Sequence, residues 1–150
     1  LRSKKNMFSK SCEYGIRASI YIAKQSLEGR KVSQKEVALA TDSPEAFTAK
    51  ILQKLTKTNV INSAKGPNGG FFVLESDMDK VKLWNIVFAI DGNSLYEDCS
   101  LGLKKCNDKK PCPLHEKFKK IRDEIRENLE KTSLKSLALG VAVGTSYLKR

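Results

Sequence analysis

Five residues, Gly66-Pro67-Asn68-Gly69-Gly70, separate two short apolar stretches, Val60–Lys65 and Phe71–Leu74. Proline, asparagine and three glycines in succession suit a tight loop, so the stretches are expected to be the strands of one hairpin. The chain before them reads as helix. Ile16, Ile20, Ala23 and Leu27 recur at intervals of four, three and four, which predicts an amphipathic helix over 12–28 that Gly29 stops. Ser33 and Glu36 have the spacing of a capping box and open a second, short helix. Thr41-Asp42 turns the chain. Ser43 then precedes Pro44, a hydroxyl cap followed by a proline at the first helical position, and starts a third helix with Phe47, Ile51, Leu52 and Leu55 inward. Helix, helix, turn, helix, hairpin predicts a mainly α fold with a small β wing, a winged helix-turn-helix.

Beyond the wing, residues 81–90 are expected to form a helix with Trp84, Val87 and Phe88 as its bulky groups, ended by Asp91-Gly92. Residues 93–113 carry no apolar period. From about Leu114 to Leu129 a long helix shows a narrow stripe, Phe118, Ile121, Ile125 and Leu129, flanked by lysine and glutamate. So narrow a stripe suits a seam between two helices, and a homodimer is expected. Thr132 or Ser133 caps a last segment through Leu148. The expected division is a DNA-binding domain over 7–92, a cysteine-rich sensor loop over 93–113, and a dimerisation helix with its C-terminal segment over 114–150. Residues 1–6, which precede Met7, are left out of that fold.

The net charge is +11, unevenly spread. Residues 1–74 hold 13 basic and 5 acidic groups, residues 75–100 hold 2 and 6, and residues 101–150 hold 13 and 6. A basic N-terminal half suits a polyanion such as double-stranded DNA. On a helical wheel the outer face of the third helix carries Ala46, Ala49, Lys50, Gln53 and Lys57. Two alanines let the backbone approach base edges, Gln53 can pair with adenine, and Lys50 with guanine or phosphate. Ser43 and Thr48 lie near the helix N-terminus, whose free N–H groups favour phosphate. In the wing, Lys65 at the root and Asn68 and Gly69 at the tip can reach the DNA backbone or minor groove. The wing loop lacks the following Lys-Ser or Lys-Thr and helix of a nucleotide-triphosphate loop. The longest apolar run, Leu137–Val143, is too short for a bilayer, and no segment resembles a secretory leader. A cytoplasmic, reducing compartment is expected, with no membrane partner.

Cys99, Cys106, Cys112 and His115 fall within seventeen residues, separated by six, five and two. Gly102, Pro111 and Pro113 exclude a helix there. Three thiols and an imidazole on such a loop are a ligand set for an iron–sulfur cluster or, equally in chemistry, for structural zinc. A plain DNA binder without a cofactor is the further alternative. The single histidine and the lack of a nucleophile–base pair speak against an enzyme. Cys12 stands apart as a thiol at a helix start.

With these parts in hand the chain resembles the Rrf2 family of bacterial winged-helix regulators. The resemblance covers Met7 to about Ser136. It rests on Tyr14-Gly-Ile-Arg-Ala, on Ser43-Pro-Glu-Ala-Phe, on Lys65-Gly-Pro-Asn-Gly-Gly-Phe and on the cysteine loop. It implies a homodimer on an operator and, for members with three cysteines, a [2Fe–2S] or [4Fe–4S] cluster, the former favoured here. A cluster on an exposed loop is easily oxidised, so aerobic preparations can lack it. The six-and-five spacing departs from the family's five and five, and Ala46 and Ala49 stand where polar groups are common. The fourth ligand stays open. His115 matches the histidine of the iron–sulfur branch; Glu13 matches an acidic residue that the nitric-oxide-sensing branch supplies from the other subunit.

Overall fold

The structure, a computed structural model, describes residues 6–150. Helix α1 (Lys10–Leu27) starts two residues earlier than its apolar period suggests, because the Ser9 hydroxyl caps it by accepting from the Cys12 N–H at 3.0 Å. It is the central helix. Cys12, Ala18, Ser19, Ile20, Ile22 and Ala23 are all buried, on more than one face, because α2 (Gln34–Thr41), α3 (Glu45–Lys57), α5 (Leu83–Asp91) and α8 (Leu134–Ala142) pack around it. The Ser33–Glu36 capping box forms with both of its hydrogen bonds.

The start of α3 differs from expectation. Its N-cap is Pro44, with no side-chain hydrogen bond. The Ser43 hydroxyl turns inward instead and lies between the hydroxyls of Thr41, at 3.0 Å, and Thr48, at 2.5 Å. Thr48 is 1% exposed and donates to the Pro44 carbonyl at 2.9 Å. These three hydroxyls knit the turn between α2 and α3, which Asp42 makes in the left-handed region. Ile51, Leu52 and Leu55 are buried; Phe47 meets Tyr14 edge to face at 5.5 Å.

The wing is shorter than its apolar stretches. Strands β1 (Asn62–Ala64) and β2 (Gly70–Phe72) pair antiparallel, with Ser63 opposite Phe71. Val32 adds a third rung: its N–H donates to the Phe71 carbonyl at 3.0 Å and its carbonyl accepts from the Phe71 N–H at 2.7 Å. Gly70, at φ +133°, fits because a Cβ there would stand 2.8 Å from the Val32 carbonyl oxygen. At Gly69 a Cβ would stand 2.2 Å from the Ala64 oxygen, so the turn needs glycine at both places.

Two four-residue helices, α4 (Glu75–Met78) and α6 (Ser94–Glu97), are too short to show a period. Helix α7 (His115–Lys131) leaves the cysteine loop. Its stripe divides. Leu129, 3% exposed, and Ile125 join Cys12, Val87, Phe8, Trp84 and Tyr96 in a second core within the chain, whereas Phe118 and Ile121 stay 38% and 49% exposed. The expectation that the whole stripe seeks a partner is thus corrected to its first half.

Helix α8, capped by Ser133, packs into the first core with α1, not alongside α7. Leu134 and Ala138 are both fully buried there. Leu134→Ala is therefore expected to lower the unfolding free energy by about 2–5 kcal/mol, the cost of a cavity in a packed core. Urea unfolding followed by circular dichroism measures it. A loss below about 1 kcal/mol would show that α8 is not part of this core.

Candidate functional site

Two surfaces carry the chemistry. The first is α3 with the wing. Lys50, Gln53, Lys57 and Ala46 are exposed and Ala49 is half-buried, on the face away from Ile51 and Leu55. Ala49, Gln53 and Lys57 share a shallow cleft with Ser63 and Phe71 of the hairpin. Lys65 and Asn68 are exposed at the wing loop and Gly69 is half-buried. The outer face of α3 and the wing thus border one concave surface, with basic groups on both sides. Thr48 is not on it, since its hydroxyl is spent inside the fold. Ser43 is half-buried and engaged in the same way.

The second surface is the cysteine loop against the start of α7. Cys99, Cys106, Cys112 and His115 line one small hollow with Ser100, Leu114, Phe118 and Arg122. Local turns bring them there. The Gly102 N–H donates to the Cys99 carbonyl at 2.9 Å, the Cys106 N–H to the Glu97 carbonyl at 2.8 Å, and the His115 N–H to the Cys112 carbonyl at 3.0 Å. Cys106 Sγ lies 3.2 Å from His115 Nδ1. Backbone N–H groups, that of Leu101 foremost, with Leu103, Gly102 and the Cys112 thiol, hold the Cys99 thiol below its ordinary range. His115 is 4% exposed. Among the described residues no three His, Cys, Asp or Glu side chains already converge closely enough to grip a metal ion. The donor set suits one, and all four donors share the hollow.

Two residues of this site carry no signal in the sequence. Arg122 lies seven residues, two turns, along α7 from His115. Its Nη2 donates to Cys106 Sγ at 2.7 Å and its Nη1 to the Asp98 carbonyl at 2.7 Å. Asp108 Oδ1 lies 2.9 Å from His115 Nε2. In a helix and loop full of charges neither stands out. Only the helical spacing from His115 could have pointed to Arg122.

Glu13 does not line the hollow. It sits in the first turn of α1, 3.6 Å from Lys10 Nζ, and accepts from Asn6 Nδ2 at 2.7 Å. Cys12 is fully buried, and burial together with nearby Asp91 pushes its thiol up to about 12. It is a core residue.

Among the described residues no helix is long and apolar enough to cross a membrane. The family model Rrf2, described as an iron-dependent transcriptional regulator, matches residues 8–139. A protein of Aquifex aeolicus named as a helix-turn-helix-type transcriptional regulator is 32% identical over 87% of this chain and 90% of its own length. Among solved structures, CymR, titled the global cysteine regulator of B. subtilis, superposes with a TM-score of 0.73 at 23% identity, over 88% of this chain and 95% of that one. IscR of T. potens gives 0.69 at 20% identity, over 97% and 92%. These two show the fold; the family match and the Aquifex relative carry the assignment. The helix-turn-helix, the glycine-bearing wing and the match over 8–139 together make this chain a member of the Rrf2 family of winged-helix transcriptional regulators.

Proposed function

We propose that the protein is a homodimeric DNA-binding regulator switched by an iron–sulfur cluster, [2Fe–2S] by preference, with Cys99, Cys106, Cys112 and His115 as ligands. The observation that carries this reading is the single hollow lined by all three loop thiols and the one histidine. Bound there, a cluster would supply a redox- and ligand-sensitive centre. The chain's part is to hold the loop: Arg122 fastens Cys106 and the Asp98 carbonyl to α7. DNA would be read by Ala46, Ala49, Lys50, Gln53 and Lys57 of α3, with Lys65, Asn68 and Gly69 of the wing on the backbone. The exposed Phe118 and Ile121 would form the dimer seam. Glu13 is the alternative fourth ligand, contributed across that seam.

The test is metal and acid-labile sulfide analysis after strictly anaerobic purification. Iron and sulfide in equal amounts with a visible absorption band are expected. Zinc without sulfide would replace this reading with a structural metal site. A second reading, a regulator that responds through its thiols without metal, is favoured by the likeness to CymR, titled the global cysteine regulator of B. subtilis. It requires neither iron nor zinc in the same experiment.

A further inference from the structure

Cys106 and Arg122 stand between two spaces. On one side is the hollow of the three thiols and His115; on the other, between α6, the loop and α7, is a cavity of about 390 Å³. Four cations and three carboxylates line that cavity. Lys105 is paired with Glu97 at 3.4 Å, and Lys119 with Asp108 at 3.6 Å. Arg122 and Arg126 are left, on one face of α7, against the single carboxylate of Asp123. Among the described residues neither guanidinium is paired with a carboxylate. Like charges at this helical spacing repel, and an anion between them removes that cost. Arg126 is held ready: its Cζ lies 4.4 Å from the centre of the Tyr96 ring, which itself stacks on Trp84 at 4.5 Å. A cation fixed on an aromatic stack loses little freedom on meeting an anion. Arg122 is spent on two poorer partners, the Cys106 sulfur and the Asp98 carbonyl, each at 2.7 Å. Sulfur is a weak acceptor, whereas a carboxylate or phosphate takes a guanidinium on two N–H groups at once, each bond about twice as strong as one to a neutral acceptor.

We propose that this cavity binds a compact oxyanion, a carboxylate or a phosphate, between Arg122 and Arg126, and that the ligand draws Arg122 off Cys106 and the Asp98 carbonyl and so frees the cysteine loop from α7. The site needs no metal, so it stands or falls apart from the cluster reading.

The test is isothermal titration calorimetry of the intact, metal-free protein at constant ionic strength, with citrate as the carboxylate probe and inorganic phosphate as the other. Saturable binding of at least one probe, one per chain, is expected, and the probe that binds identifies the source. Arg126→Gln should weaken it about 10- to 100-fold, the loss of hydrogen bonds between charged groups. Arg126→Lys keeps the charge without the planar fork and should weaken it less. Lys120→Gln removes the same charge from α7 outside the cavity and should leave binding unchanged. Digestion with endoproteinase Lys-C reads the loop, through cleavage after Lys104, Lys105, Lys109 and Lys110. The bound probe should speed that cleavage about fivefold or more. Arg122→Gln should be cleaved as fast without the probe, and the probe should add nothing. Failure of both probes to saturate, or equal weakening by Lys120→Gln and Arg126→Gln, overturns the site. Saturable binding with unchanged cleavage overturns the release of the loop. Iron and sulfide analysis of the same protein tests the cluster reading separately.

Discussion

Cys106→Ala is expected to abolish the cluster and to make operator affinity indifferent to anaerobic loading. Cys106 is the thiol most tightly bound into the site. It takes a hydrogen bond from Arg122, faces the His115 ring, and is anchored through its own N–H to Glu97. The loop joins α6 to α7, so ordering it can change how α7 leaves the reading head. A cluster shifts that arrangement only by its differential affinity for the two states. Couplings of this kind alter affinity by about 5- to 150-fold. That ratio between loaded and unloaded wild type should collapse to one in Cys106→Ala. Phosphate attraction from Lys50, Lys57 and Lys65 should persist as salt-sensitive binding to any sequence. Lys65→Ala is the control: it should weaken binding to operator and random DNA alike, lower the salt slope by about one, and leave the cluster intact. Titrations of both DNAs at several salt concentrations measure all of this. Equal operator affinity in loaded and unloaded wild type would mean that the loop does not switch DNA binding.

The legible parts of the fold were those whose signal is local. Ser33 and Glu36 form a capping box because two hydrogen bonds within four residues are all it needs. The wing follows from its glycines, since backbone approach at Gly69 and Gly70 admits no Cβ. Signals misled where a competing partner stands close by or where the partner lies far along the chain. Ser43-Pro44 has the form of a helix start, yet the Thr41 and Thr48 hydroxyls draw the serine inward and Pro44 takes the cap. The apolar residues of α8 show that the helix has a partner but not which one, and α1 is that partner. In the candidate site the ligand types and spacing were readable, because thiols and the one histidine are rare in this chain. Their supporting residues were not. Arg122 and Asp108 are two charges among many, and their roles arise only when α7 and the loop turn are placed side by side.

The proposed dimer seam is where that division matters most. Ile125 and Leu129 belong to the chain's own second core, so charging Ile125 would damage the monomer and test nothing about association. Phe118 and Ile121 are the exposed part of the same stripe. Phe118→Asp together with Ile121→Asp is expected to leave the monomer folded and to dissociate the dimer. Burying each of these side chains contributes about 1.5–3 kcal/mol, and twofold symmetry makes every substitution count twice. A dimer weakened about 100-fold or more is expected from even half of that total. Specific binding should fall with it, because a monomer reads one half-site where the dimer reads two, about 34 Å or a multiple apart. Binding to random DNA through Lys50, Lys57 and Lys65 should change much less. Sedimentation over a concentration series, with circular dichroism to verify the fold, decides it. If the double variant still sediments as a dimer, the seam lies elsewhere, and the exposed Leu139 and Val143 of the α8 end are the next residues to charge.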